Sequence, residues 1–229
     1  VKSLPFASFT GYKYAVNFID HLSRLGIVYF MRKKSDVTAK LSAYIADMKH
    51  LGVTIRCIQS DRGSEYFAQE GDTLGDRDRA LHAFDHVCAS TSPKIRHVLL
   101  PIEMKEKIAE VWWCDHFGAA NVMLWEGRLS PAFWADAVAY SNYLANRTPN
   151  DHCGLHTTPL TVVTGERARW DKFRVFGCDV FEHIPNNPYS KVPGIPRGRR
   201  LIFVGFDSDR AGFKCFDPET RNHPNAGRK

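Results

Sequence analysis

Residues 54–66 read TIRCIQSDRGSEY, and the rest of the chain can be placed around them. Ile55, Cys57 and Ile58 form a short apolar, β-branched run that predicts a buried strand. The strand ends in a polar turn, Ser60-Asp61-Arg62-Gly63, with Glu65 close behind. Open α/β sheets bind ligands and metals at strand ends, where a fixed backbone can aim an acidic side chain outward. Taken alone, Asp61 is either such a ligand or the residue that shapes a Gly-containing turn.

Upstream, residues 12–20 (YKYAVNFID) and 26–32 (GIVYFMR) are rich in aromatic and β-branched residues and predict an antiparallel hairpin turning at 21–25. Asp20 ends the first of these strands as a second carboxylate, and reads as a strand-terminating residue. Ser35 is the expected N-cap of a helix whose inward side is Val37, Leu41, Tyr44, Ile45 and Met48, stopping at Gly52. Two strands, a helix and a strand with an acidic mouth make an α/β beginning.

Downstream, FAQEGDTLGDRD at 67–78 predicts a loop, followed by a helix with Ala80, Leu81, Phe84, Val87 and Cys88 on one side and a short strand over 96–100. Residues 103–126 predict a long helix with a buried face of Ile108, Val111, Trp112, Ala119, Val122 and Met123, and Glu110 near its start. Gly127 stops it, and Ser130-Pro131 open a further helix over 132–146 that carries Phe133, Trp134, Ala137, Tyr140 and Leu144. After a Gly/His/Thr-rich connection, the runs 173–183 and 200–216 are strand-like and joined by NNPYSKVPGIPRG. A small all-β module with barrel-like closure follows, which divides the chain into a core over 1–150, a linker over 151–170, a barrel over 171–219 and a basic tail over 220–229.

The 229 residues, 44% of them hydrophobic, suffice for a sizeable core. No apolar run approaches the roughly 18 residues of a membrane span and no signal-peptide pattern opens the chain, so a soluble intracellular protein with no membrane partner is expected. The six cysteines are scattered without a CxxC pair. Cys57, Cys114 and Cys178 sit in apolar runs and read as buried free thiols in a reducing compartment. Net charge is +6, but between Ser190 and Lys229 nine Lys/Arg face four acids. That distribution suits either a polyanion-contacting tail or a solvated surface run.

Seven segments, in this order, resemble the integrase region of copia-type (Ty1/copia) LTR retrotransposon Pol polyproteins. They are GYKYAVNFIDHLSR, VYFMRKKS, SDRGSEY in place of the usual SDNGGEY, KIAE in place of GVAE, SPAFWADAVAYSNYLANRTP, FRVFGCDVF and IFVGFDSDRAGFKCFDPET. The resemblance implies a ribonuclease-H-like α/β catalytic core, a mixed sheet flanked by helices, followed by an SH3-like β-barrel. It implies an Asp, Asp, Glu triad that holds two Mg²⁺ (or Mn²⁺) ions for 3′-processing and strand transfer of element DNA into target DNA.

By motif position Asp61 matches the second acid and Glu110 the third, so both are the implied catalytic residues and metal ligands. Asp20 matches a different family aspartate. The first acid is expected in a strand ahead of GYKY, so this stretch is expected to start after it, lack the first strand and be inactive alone. Two further departures stand out. Glu110 follows Asp61 by 49 positions, and Val111, Trp112, Trp113 and Cys114 replace the basic and amide residues that usually follow the glutamate. The implied partners are element and target DNA and further copies of the parent chain, with Arg62, Lys191, Arg197, Arg199 and Arg200 as candidate nucleic-acid contacts. The implied location is the nucleus, with cytoplasmic virus-like particles for the parent element. The alternative is a decayed or domesticated transposon remnant that acts as a non-catalytic nucleic-acid-binding or protein-interaction module.

Overall fold

The computed structural model describes residues 1–60, 83–100, 107–154, 156–183, 198–207, 212–221 and 225–226. They fall into two compact units, Val1–Asp115 with Asn142–Arg169, and His116–Ser141 with Trp170–Lys229.

In the first unit the expected hairpin is present. A two-residue strand β1 (Lys2–Ser3) is followed by β2 (Tyr14–Ile19) and β3 (Gly26–Met31). Strands β2 and β3 pair antiparallel, in a register running from Tyr14 opposite Met31 to Ile19 opposite Gly26. Asp20 shapes the turn, its Oδ2 accepting both the backbone N–H and the hydroxyl of Ser23 at 2.7 Å. Strand β1 pairs antiparallel with the other edge of β2, so the sheet has the order β1-β2-β3.

Helix α1 (Val37–His50) turns Val37, Leu41, Tyr44 and Met48 inward, as its spacing predicts. Its start is corrected: Asp36 accepts the Lys33 N–H at 3.1 Å and so closes a 3₁₀ turn over Lys34–Asp36, which displaces Ser35 from the expected capping role. Strand β4 (Cys57–Ser60) runs parallel to β5 (Arg96–Leu99), with helix α2 (83–90) between them in sequence. Only Ile58 and Ser60 of β4 are buried, because successive strand residues face opposite ways. The fully buried strand and the buried Cys57 expected from composition are corrected accordingly.

One apolar core joins these pieces: Val16 and Phe18 from β2, Leu41, Tyr44 and Met48 from α1, Ile58 from β4, Phe84 and Cys88 from α2, and Ile95. Phe18 and Tyr44 stack with ring centres 4.5 Å apart. Antiparallel and parallel pairs with packed helices make an α/β unit, the class expected.

Helix α3 (Lys107–Glu126) buries Trp112, Trp113, His116, Ala120 and Leu124, a face rotated from the one the sequence suggested. Val111 and Val122 are 56% and 61% exposed. The cause is bulk, since the two adjacent indoles claim the interior. Cys114 is exposed as well, and Cys178 is half-buried; all six cysteines are free.

Helix α4 (Trp134–Ala145) starts from a 3₁₀ turn capped by Ser130, whose hydroxyl accepts the Ala132 N–H. Its last turn fastens to the hairpin: the side-chain amides of Asn142 and Asn146 donate to the Gly26 carbonyl at 2.9 and 2.7 Å, and Asn146 Oδ1 accepts the Gly26 N–H at 3.0 Å.

Residues 151–170, expected as a plain linker, hold helix α5 (Pro159–Thr164). Thr158 caps it, Pro159 opens its first turn, and Gly165 at φ 73° ends it. Leu160 and Val163 pack against the core of the first unit.

The second unit contains an antiparallel sheet of four strands in the order β6 (Asp179–His183), β7 (Gly198–Phe206), β8 (Phe213–Phe216), β9 (Asn225–Ala226). Leu201, Phe203 and Cys215 are fully buried there. The β7–β8 register shifts between Phe203 and Gly205, where a φ of 136° at Gly205 is open to glycine alone. Among the described residues the sheet is an open one, with no pair joining β9 to β6. Tyr140 of α4 meets Phe203 edge-on at 5.2 Å and donates its hydroxyl to the Arg174 carbonyl. The Lys214 ammonium donates to the buried Asp136 at 2.5 Å.

Gly26 gives a direct test of the fastening. A Cβ there would lie 2.7 Å from Trp112 Nε1 and 2.9 Å from Asn142 Oδ1. Gly26→Ala is expected to lower urea stability by about 1–3 kcal/mol, the usual cost of overpacking. Gly118→Ala, at an exposed helical position with nothing within 4 Å of the new methyl, is expected to raise it by about 0.5–1 kcal/mol.

Candidate functional site

The first unit encloses a groove of about 490 Å³. Asn17 and Ile19 of β2 and the adjoining Asp20 line one part of it, the whole of β4 from Cys57 to Ser60 another, and Ile108, Glu110 and Trp113 of α3 a third. Among the described residues β1 pairs with β2 only at Tyr14 and Ala15, and the first turn of α3 adds to the same lining.

Glu110 sits in that first turn with its side chain exposed. An acid there is favoured by the partial positive charge of the helix N-terminus. The end of β4 reaches the same groove at Ser60, the residue before Asp61. Asp61 and Arg62 lie outside the described residues, as do Lys191, Arg197 and the expected approach of Asp61 to Glu110. Asp20 also borders the groove, but one of its carboxylate oxygens is committed to Ser23.

Two neighbouring groups are held in their neutral forms. Burial, and then the Asp20 carboxylate, push the Tyr44 phenol above its ordinary range. Burial, then Asp85 and Cys57, push the Cys88 thiol up to about 11, so Cys88 is no thiolate nucleophile at neutral pH. Glutamate and aspartate oxygens are hard donors that suit Mg²⁺ or Mn²⁺. Among the described residues no group of three or more His, Cys, Asp or Glu is placed to hold a metal ion.

Sequence reasoning missed one group at the groove. The Ser60 hydroxyl lies 2.9 Å from His97 Nε2, and His97 Nδ1 lies 2.6 Å from Asp85 Oδ1. The three residues are far apart in sequence, on β4, β5 and α2, and only the parallel pairing of the strands unites them. A histidine inside the strand-like run over 96–100 was the available signal.

Arg199 and Arg200 lie on β7 and are each paired with carboxylates. Arg199 binds Glu182 at 2.7 Å and Asp217 at 3.3 Å, and Arg200 binds Asp179 at 2.8 Å. Both guanidiniums are held above their ordinary pKa, first by the hydrogen bond to Glu182 or Asp179 respectively.

The geometry defines an α/β unit with a groove lined by β2, β4 and the first turn of α3. No family model matches the chain. Sequence relatives do. The chain is 27% identical over 214 residues to the retrovirus-related Pol polyprotein from transposon TNT 1-94 of Nicotiana tabacum, covering 92% of this chain and 15% of that protein. It is 25% identical over 227 residues to the Pol polyprotein from transposon RE1 of Arabidopsis thaliana, and 24% over 218 residues to that from transposon RE2, covering 96% and 94% of this chain and 14% of each relative. The chain is thus a relative of copia-type retrotransposon Pol polyproteins along nearly its whole length, and spans about one seventh of theirs. Among solved structures it is similar to the HTLV-2 integrase catalytic core domain in complex with magnesium, with a TM-score of 0.46 and 18% identity over 68% of this chain and 88% of that one. It is also similar to the simian T-cell lymphotropic virus intasome in complex with the PP2A regulatory subunit B56 gamma, with a TM-score of 0.48 and 17% identity over 94% of this chain and 70% of that one.

The Arg199 partners give the sheet a pH dependence of known sign. Burial works to raise the Asp217 carboxyl, but the N–H groups of Thr220 and Glu219, the Thr220 side chain and Arg199 together hold it below its ordinary value. A carboxyl with a depressed folded pKa adds stability above its unfolded pKa, and that stability is lost as pH falls through the depressed folded value. Asp217→Asn is therefore expected to be less stable at neutral pH and to show a flatter loss of stability on acidification, read as the urea midpoint against pH.

Proposed function

We propose that the chain is the integrase region of a retrotransposon Pol polyprotein, whose parent inserts element DNA into target DNA by metal-dependent 3′-processing and strand transfer. The observation that carries this reading is that Glu110 and β4, the strand whose sequence runs on into Asp61, line one groove. Relatives among transposon Pol polyproteins over more than nine-tenths of the chain support it. The reading includes a catalytic core over 1–150, a linker over 151–170, an SH3-like barrel over 171–219, a basic tail over 220–229, assembly into homo-oligomers, and a nuclear site of action.

Asp61 and Glu110 would hold the Mg²⁺ or Mn²⁺, which when bound supplies the charge that activates an attacking oxygen and stabilises a leaving one. The described contribution of the protein is to present the Glu110 carboxylate from a regular element, the first turn of α3, so that little of it has to be reorganised when a phosphate arrives.

A second reading, a domesticated remnant that binds nucleic acid without chemistry, is favoured by one feature. The exposed residues after Glu110 on α3 include Val111 and Cys114, which offer no charged donor to a phosphate. Both readings require contact with DNA through the positive excess near the C-terminus.

The chain should therefore bind a short duplex of any sequence, with affinity falling steeply as salt rises because phosphate contacts release counterions. Replacing Lys191, Arg197, Arg228 and Lys229 by Gln should weaken binding and lower the slope of log affinity against log salt by about 0.9 for each phosphate that is no longer neutralised. Fluorescence anisotropy of a labelled duplex reads both quantities. Unchanged affinity and slope in the quadruple variant would remove this region as the DNA-binding surface.

A further inference from the structure

We propose that the outer edge of β6 is a self-pairing surface, at which a second copy of this chain adds its own β6 antiparallel about a two-fold axis through Phe181. The proposal stands on the second unit alone and is independent of the metal-dependent reading of the groove. It gives assembly between copies a definite surface.

Strand β6 ends the sheet order β6-β7-β8-β9, so among the described residues one of its edges pairs with no strand. The backbone groups on that edge follow from the register. The Phe203 N–H donates to the Cys178 carbonyl at 2.9 Å, and opposite residues of antiparallel strands alternate between bonded and unbonded pairs. Val180 with Leu201 and Glu182 with Arg199 are therefore the bonded pairs, and Asp179, Phe181 and His183 turn their N–H and C=O groups away from β7.

The same three residues carry the exposed side chains of the strand, because alternate residues face one way. Phe181 is 73% exposed, which leaves an aromatic ring in water on an edge where charge is the usual protection against pairing. Charge is present here, but in a self-complementary order. An acid stands two residues before the phenylalanine and a histidine two residues after it.

Two copies set antiparallel about Phe181 place Asp179 opposite His183 of the second copy, Phe181 opposite Phe181, and His183 opposite Asp179. All three are bonded pairs on the outward edge, and each closes two N–H···O bonds, about six in all. A slip of two residues either way loses one such pair and sets a polar side chain against a ring. The Arg200 guanidinium holds Asp179 Oδ1 at 2.8 Å, which leaves Oδ2 to accept an imidazole N–H. Glu182, on the other face, is neutralised by Arg199 at 2.7 Å. The pattern thus selects a second copy over a strand of arbitrary sequence. With five residues on each side the contact is smaller than a permanent interface, so the dimer is weak and exchanges with its monomer.

Sedimentation equilibrium of the 229-residue chain should show a mass that rises with concentration from that of one chain toward twice that value. Phe181→Glu and Phe181→Lys should each lose most of the rise, because the ring pair is gone and like charges face each other across the axis. Mixed in equal amounts, the two variants should regain it, with Glu opposite Lys. Phe181→Pro removes two outward N–H donors from the pairing and none that β7 uses, so it should be monomeric with amide exchange across β7 and β8 as in the parent chain. Should the proline disturb the sheet, the Glu and Lys variants decide alone. A parent chain that stays at the mass of one chain, a Phe181→Glu variant that associates as the parent does, or a mixture that regains nothing overturns the proposal. Fluorescence anisotropy with the labelled duplex keeps the two readings apart. DNA binding by a chain that never dimerises overturns the pairing and leaves the proposed function standing, and a dimer that binds no DNA does the reverse.

Discussion

A single backbone carbonyl, that of Gly26, carries the join between the hairpin and the last turn of α4. Two asparagine amides donate to it and one returns an acceptor to the Gly26 N–H, so a segment more than a hundred residues away is fixed against the start of β3. Buried amides hold a structure only when they are satisfied, because an unpaired one costs about 1–3 kcal/mol. The missing side chain at position 26 is what allows this approach, since the Trp112 indole occupies the space a Cβ would need. Trp112 packs there from α3, the helix that also carries Glu110 to the groove.

The groove borders strand edges that no described strand pairs with. β1 covers only the Tyr14 and Ala15 end of β2, which leaves Asn17 to Ile19 lining open space, and β4 has β5 on one edge alone among the described residues. Among the described residues both polar atoms of the Asn17 side chain are buried without a hydrogen-bond partner.

Much of this was legible in the sequence, where local physics decides. The hairpin follows from aromatic and β-branched runs, α1 from apolar residues at helical spacing, and α4 from Ser130-Pro131. Strand β4 was legible for the same reason, as a short apolar run. What was missed depended on contacts between distant residues. The inward face of α3 could not be chosen from periodicity, because apolar residues occur around most of its circumference and only the fit of Trp112 against Gly26 selects a side. His97 and Asp85 carry no motif, and meet Ser60 only after two parallel strands have paired. Helix α5 is the opposite case: Thr158, Pro159 and Gly165 are sufficient local signals, hidden by the polar composition around them.

The departure from the family pattern after Glu110 is smaller in consequence than it looks in sequence. Four residues, Val111 to Cys114, stand where basic and amide side chains are usual, and read as a string they suggest that a whole DNA-facing surface has gone. Trp112 and Trp113, however, are only 8% and 7% exposed, with their rings crossing at 89° and 4.9 Å between centres. On a helix, neighbouring positions point about 100° apart, so two adjacent residues turned inward leave the flanking pair outward. Only Val111 and Cys114 therefore present a changed surface, and Glu110 beside them keeps its exposure and its place on the groove. The tryptophans are bound to the fold, since replacing either with a charged side chain would bury that charge against Gly26 or the groove wall. Positions 111 and 114 are free of that constraint, so any basic or amide contact on this turn of α3 has to be made from those two.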